Sequence, residues 1–166
     1  MLCIWAAPVL APMTARTLSN RRRTWAGLAI PVLSDTTGHA NPAQVRRLFK
    51  RLFAAVGDKA GAAHMHNTRG LGLANCLAAH DVGVTTFDAS LGGLGGCPYA
   101  PGASGNVVTE DLVFMFEAMG VATGIDLERL IAARAPLAEG LPGEALYGMT
   151  PEAGLPKGFG REAAHA

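Results

Sequence analysis

Charge of either sign is scarce in this chain, and neither sign dominates. Its 166 residues hold 14 Lys and Arg against 13 Asp and Glu, a formal net charge of +1. No stretch interleaves Arg or Lys with aromatic side chains, so the footprint of a nucleic-acid-binding surface is missing. Arg21-Arg22-Arg23 is the longest basic run and reads as a solvated one. Cysteine is also scarce: Cys3, Cys76 and Cys97 are odd in number and lack CxxC spacing. That excludes a disulfide framework and points to a reducing compartment, so the chain reads as intracellular. Long apolar runs are lacking as well. Met1 to Met13 is apolar, but it contains Pro8 and Pro12 and falls short of the ~20 residues that a membrane-spanning helix needs. Its positive charges follow the apolar run instead of preceding it, which is the wrong order for a signal peptide. Arg richness without acids up to residue 34 loosely fits an organelle transit segment, yet no clean amphipathic pattern accompanies it. Residues 1–27 are therefore expected to be a poorly ordered segment.

What is present is apolar: 49% of the residues are hydrophobic, the composition of one globular domain with a core. From residue 28 a short apolar run, a turn and a one-sided helix recur, which is βα repetition. Leu28 to Ser34 reads as the first strand, ending at Asp35-Thr36-Thr37-Gly38. Asn41 is placed as an N-cap with Pro42 at the first helical position and Gln44 closing a capping box. The helix to about Val56 carries Val45, Leu48, Phe49, Leu52, Phe53 and Val56 on one face, with Arg46, Arg47, Lys50 and Arg51 opposite. Ala62 to His66 forms the second strand, followed by a helix from about Gly70 to Ala79 in whose packing Cys76 takes part. Val84 to Ser90 forms the third. A helix capped by Thr109 follows, with Glu110 and Asp111 in its first turn, and a last one begins near Asp126. Beyond about Gly140 the Gly and Pro content rises, and residues 141–166 are expected to be a low-order tail.

Ligands of parallel βα folds bind beyond the C-terminal ends of the strands. Asp35, the His64-Met65-His66 segment and the loop after Ser90 all fall there. Strand alternation points His64 and His66 to one side, where two imidazoles can share a metal; the plain alternative is a pair of satisfied core or loop-edge histidines. Two neutral nitrogens need an oxygen donor beside them, which Asn106 or Asp35 can supply. Asp35 also fits ordinary turn chemistry, its carboxylate bonding nearby backbone N–H groups. Cys97 lies in a loop from Gly92 to Asn106 in which six glycines permit sharp bends and close approach to a ligand.

At this point the residues resemble a known family. Gly93-Leu94-Gly95-Gly96-Cys97-Pro98-Tyr99-Ala100, continuing through Gly102-Ala103-Ser104-Gly105-Asn106-Val107 to Thr109-Glu110-Asp111-Leu112, is similar to the signature loop of 3-hydroxy-3-methylglutaryl-CoA lyases. These are metal-dependent enzymes of an aldolase-like barrel superfamily. The resemblance runs from about Leu33 to Gly140 and includes Ser34-Asp35-Thr36-Thr37-Gly38, His64-Met65-His66 and Leu73-Ala74-Asn75. It implies an α/β fold, a partial (βα)8 TIM barrel made of the last three or so βα units plus a C-terminal helix, over residues 28–140. It further implies a divalent metal, Mg2+ or Mn2+, on His64, His66 and Asn106, with Cys97 as the acid/base on a mobile loop and Asp35 near the substrate hydroxyl. The implied substrate is an acyl-CoA thioester, cleaved in a retro-Claisen reaction to acetyl-CoA and acetoacetate.

Two departures stand out. Asn67 occupies the position after the second histidine where the family usually has Asp, and the Arg-Asp pair that opens the family's barrel occurs nowhere in this chain. A full barrel takes about 250 residues, so the chain resembles the C-terminal part of a lyase. Two other readings stay open: a non-catalytic fragment with weak metal binding, or a lyase for a related hydroxyacyl-CoA. Neither nucleic acid nor membrane is an expected partner, and open sheet edges point to homo-oligomers or self-association. The Arg excess over Lys and the Ala/Gly richness suggest a GC-rich bacterial source, which favours cytoplasm over a mitochondrial matrix.

Overall fold

The computed structural model describes residues 32–57, 61–96 and 105–159. Three strands, β1 (Val32–Asp35), β2 (Ala62–Met65) and β3 (Thr86–Asp88), form a parallel sheet in sequence order. The intervening chain supplies helices α1 (Pro42–Val56) and α2 (Gly72–His80). The result is three consecutive βα units, an arc of a (βα)8 barrel. The ladder pairs Leu33 with Ala63 and Ala63 with Phe87, while Ser34 pairs with His64 and His64 with Asp88. Because side chains alternate along a strand and share a face across a ladder, the sheet has two distinct sides. Leu33, Ala63, Met65 and Phe87 form one side, packed under the helices; Val32, Ser34, Ala62, His64, Thr86 and Asp88 form the other.

The core lies on the helix side. Val45, Phe49 and Leu52 of α1 meet Leu33, Ala63 and Met65, together with Cys76, Ala78 and Ala79 of α2. Helix α1 begins as the sequence requires: Asn41 Oδ1 accepts the Gln44 N–H at 3.0 Å, and Gln44 Oε1 accepts the Asn41 N–H at 3.2 Å. Helix α3 (Thr109–Ala118) closes the far end of the core with Leu112 and Phe116, the latter 5.1 Å from Phe87 between ring centroids. Thr109 does not cap it. It is the first helical residue, and Val108, which precedes it, makes no side-chain cap bond. The turn is fixed instead by main-chain bonds, Thr109 N–H to Ser90 O at 3.0 Å and Val107 N–H to Met65 O at 3.0 Å.

Three short helices follow: α4 (Leu127–Ala132), α5 (Arg134–Gly140) and α6 (Met149–Ala153). Asp126 caps α4 through the Arg129 N–H at 3.1 Å, as its position suggests. The Gly- and Pro-rich stretch after Gly140 is tied back to α3, for Asp111 accepts the Met149 and Thr150 N–H groups at 3.0 and 2.7 Å, and Phe159 stacks on Phe114. No helix among the described residues is long and apolar enough to cross a membrane.

Candidate active site

The strand ends gather three of the residues singled out in the sequence. His64 and His66 stand two apart along β2 and its continuation, with ring centroids 5.1 Å apart in an edge-on arrangement. His66 is buried, at 5% exposure. Asn106 comes from 42 residues later in the chain than His64, yet it forms an isolated antiparallel bridge with His66. The cause is main-chain pairing: residues 105–108 enter between the ends of β2 and β3, with Val107 bonded to Met65 O on one side and accepting the Ser90 N–H at 3.2 Å on the other.

The amide of Asn106 is oriented by three acceptors. Its Nδ2 donates to Leu94 O at 2.8 Å, Ser90 Oγ at 2.9 Å and Gly95 O at 3.3 Å. This commits the nitrogen and leaves Oδ1 buried without a hydrogen-bond partner among the described residues. A buried amide oxygen without a partner costs of order 1–3 kcal/mol. Such an atom beside an imidazole fits a cation ligand. Among the described residues no three His, Cys, Asp or Glu side chains converge into a ligand cluster. The donor set that fits a metal here is two imidazoles and one amide oxygen, all neutral.

Asp35 stands apart from this group. The ladder pairs it with Met65, a residue of the helix side. Its Oδ1 accepts the His39 N–H and its Oδ2 the Ala40 N–H, both at 3.1 Å. The carboxylate thus builds the loop between β1 and α1, which Arg69 and Asn75 brace through the carbonyls of Thr37, Gly38 and Ala40. Cys97 lies outside the described residues, as do Leu28–Pro31 of the expected first strand. The loop that carries Cys97 has a well-defined base, however. Gly93 sits against Gly105 so closely that a Cβ built on Gly105 would lie 1.6 Å from the Gly93 carbonyl oxygen.

Sequence reasoning missed two residues here. Asp88 pairs through its carboxylate with His64 Nδ1; the signal available was an acid inside a short apolar strand, but its partner depends on inter-strand register. Glu110 was read as a helix-start charge. It is fully buried, accepts the Gly92 N–H at 3.1 and 3.2 Å through its two oxygens, and pairs with Arg134. Asn67 has a structural role: its Oδ1 accepts the Gly72 N–H at 2.9 Å at the start of α2.

Residues 19–136 match a protein-family model described as HMGL-like. The chain is 53% identical over 102 residues to an (R)-citramalyl-CoA lyase of Chloroflexus aurantiacus, covering 61% of this chain and 32% of that protein. It is 50% identical over 107 residues to a hydroxymethylglutaryl-CoA lyase of Bacillus subtilis, covering 64% and 36%. Among solved structures, an HMG-CoA lyase from Acinetobacter baumannii in complex with coenzyme A and 3-methylmalate superposes with a TM-score of 0.77 at 45% identity, over 86% of this chain and 47% of that one. The chain therefore spans about a third of the length of these curated relatives and about half of the solved one.

Proposed function

Since the chain belongs to the HMGL-like family, we propose that it forms the metal-binding and cysteine-bearing side of a barrel that cleaves 3-hydroxy-3-methylglutaryl-CoA to acetyl-CoA and acetoacetate. The observation that supports this most is the partnerless buried Oδ1 of Asn106 beside His66. In this reading His64, His66 and Asn106 hold a divalent ion, Mg2+ or Mn2+, whose remaining donors come from outside these residues. When bound, such an ion polarises the tertiary hydroxyl and a carboxylate oxygen of the substrate and lowers the hydroxyl pKa.

The rest is acid–base work and positioning. Loss of the hydroxyl proton to a base lets its electron pair form the new carbonyl of acetoacetate. The carbon–carbon bond breaks, and its electrons pass to the acetyl-CoA enolate. Cys97, carried on the glycine loop, gives its thiol proton to the enolate carbon. Asp35, apart from the metal donors, serves the site from the same strand ends by shaping the β1–α1 loop through its two bonds to His39 and Ala40.

A completed barrel tests the reading. Residues 33–136 are grafted in place of the matching segment of the Bacillus subtilis relative, and acetyl-CoA release is followed with 3-hydroxy-3-methylglutaryl-CoA and with citramalyl-CoA. The expected result is cleavage of the first thioester that is lost in His64→Ala, Asn106→Ala and Cys97→Ser. A folded chimera inactive on both thioesters would overturn the proposal, and preference for citramalyl-CoA would reassign the acyl group.

A further inference from the structure

The neutral donor set leaves one question of the site open: what fixes the imidazole of His64 so that the correct nitrogen faces a cation. Parallel register places Asp88 directly beside it on the inner side of the sheet. The Asp88 carboxylate meets Nδ1, the ring nitrogen nearer the backbone. A structural purpose explains little of this pair. The Asp88 side chain is 60% exposed and that of His64 28%, and ion pairs so open to water contribute little to folding. Aspartate is also disfavoured within strands. Asn67, three residues after His64 in the sequence, offers no substitute, since it is neutral and its oxygen is taken by the Gly72 N–H.

We propose that Asp88 is a positioning residue for metal binding, which holds His64 in the tautomer that carries its proton on Nδ1 and so presents a bare Nε2. A ligating imidazole needs that lone pair, and a carboxylate on the opposite nitrogen fixes both the ring's rotation and its tautomer. Asp88 also places a negative charge in the shell outside three neutral donors. It touches neither substrate nor metal and acts through His64. The inference rests on the metal reading above and adds to it the residue that prepares one of its ligands.

The test follows two quantities in the full chain and in Asp88→Ala and Asp88→Asn. One is the tautomer of His64, read from long-range 1H–15N correlations of the imidazole without metal at about pH 8, above the ordinary imidazole range. The other is Mn2+ affinity, read by electron paramagnetic resonance, with His64→Ala as reference. The expected wild-type ring has Nε2 unprotonated. In Asp88→Ala it becomes a mixture of tautomers, and Mn2+ affinity falls roughly 10- to 100-fold without a change in melting temperature. Asp88→Asn keeps an acceptor oxygen but no charge, so it recovers the tautomer and part of the affinity. An Asp88→Ala variant with the wild-type tautomer and wild-type affinity would overturn the proposal, as would a loss of affinity that merely parallels a loss of fold. If the wild type and His64→Ala bind Mn2+ equally while Asp88→Ala still alters the tautomer, the metal reading itself fails, and the function assigned to Asp88 falls with it.

Discussion

The thiol of Cys76 is sealed within the core at 0% exposure, between α1, α2 and the helix side of the sheet. Burial pushes its pKa up from 9.0 to about 12, and the negative charge of Asp88 adds to the rise. Well below 9.0 the thiol is neutral in both folded and unfolded chains and contributes nothing to pH dependence. Above that value the unfolded chain releases the proton while the folded one keeps it, so stability falls as pH rises from 9.0 toward about 12. Urea midpoints measured across this range should decline more steeply for the wild type than for Cys76→Ala, and alkylation of Cys76 should proceed only as fast as unfolding. Parallel declines in the two proteins would place the thiol in a wetter setting. Side-chain chemistry of this local kind was legible beforehand: the helical spacing of Cys76 marked it as packing, and the Asp-Thr-Thr-Gly turn around Asp35 has the hydrogen bonds that its composition suggests. Asp88 was not legible, because no local pattern states which residue of β2 it will face.

Elements show the same division between near and distant information. Helix α1 could be read to within a residue because its capping box, its proline and its apolar stripe all lie in one continuous stretch. The third strand could not. Val84 is held by its N–H to Ala79 O at the end of α2, and the regular ladder begins only at Thr86. The base of the glycine loop depends on contacts from further away still. Gly92 adopts φ +63° and Gly93 φ +67°, conformations that side chains rarely tolerate, and Gly105 passes directly against Gly93. Gly105→Ala must therefore force the two ends of the loop apart, at a cost of about 1–3 kcal/mol. It would also displace Asn106, so lower thermal stability should be accompanied by weaker Mn2+ binding. The other end of the loop is held by Glu110. Arg134 joins this carboxylate to the carbonyl of Tyr147 at 2.9 Å, and the Tyr147 N–H returns to Gly92 O at 2.8 Å. Arg134→Ala would leave a fully buried carboxylate without its cation, and chemical denaturation should report a loss of roughly 3–5 kcal/mol. A change below about 1 kcal/mol would mean that water replaces the guanidinium, as it does for an exposed pair.

At the scale of the whole molecule, the arc of barrel is complete on one side and open on the other. The helix side is packed, while the inner side of the sheet presents Val32 at 51% exposure together with the exposed Thr86 and Asp88. The ladder order β1-β2-β3 also leaves the outer edge of β1 without a strand partner among the described residues. The alternation of strand and helix in the sequence suffices to predict a parallel sheet with a packed outer layer, because both follow from periodicity. It says nothing of what lies against the inner side, which in a closed barrel is covered by strands from elsewhere in the fold. An unpaired strand edge next to an apolar side chain is a template for pairing with another chain. A polypeptide limited to these 166 residues should therefore self-associate, with a weight-average sedimentation coefficient that rises with protein concentration. Placing a charge on the open edge should oppose this, so Val32→Lys is expected to shift the distribution toward monomer without lowering the melting temperature, since the side chain is already half in water. If the wild type sediments as a compact monomer at every concentration, the inner face must be covered by part of its own chain, and Val32→Lys would then destabilise the fold instead.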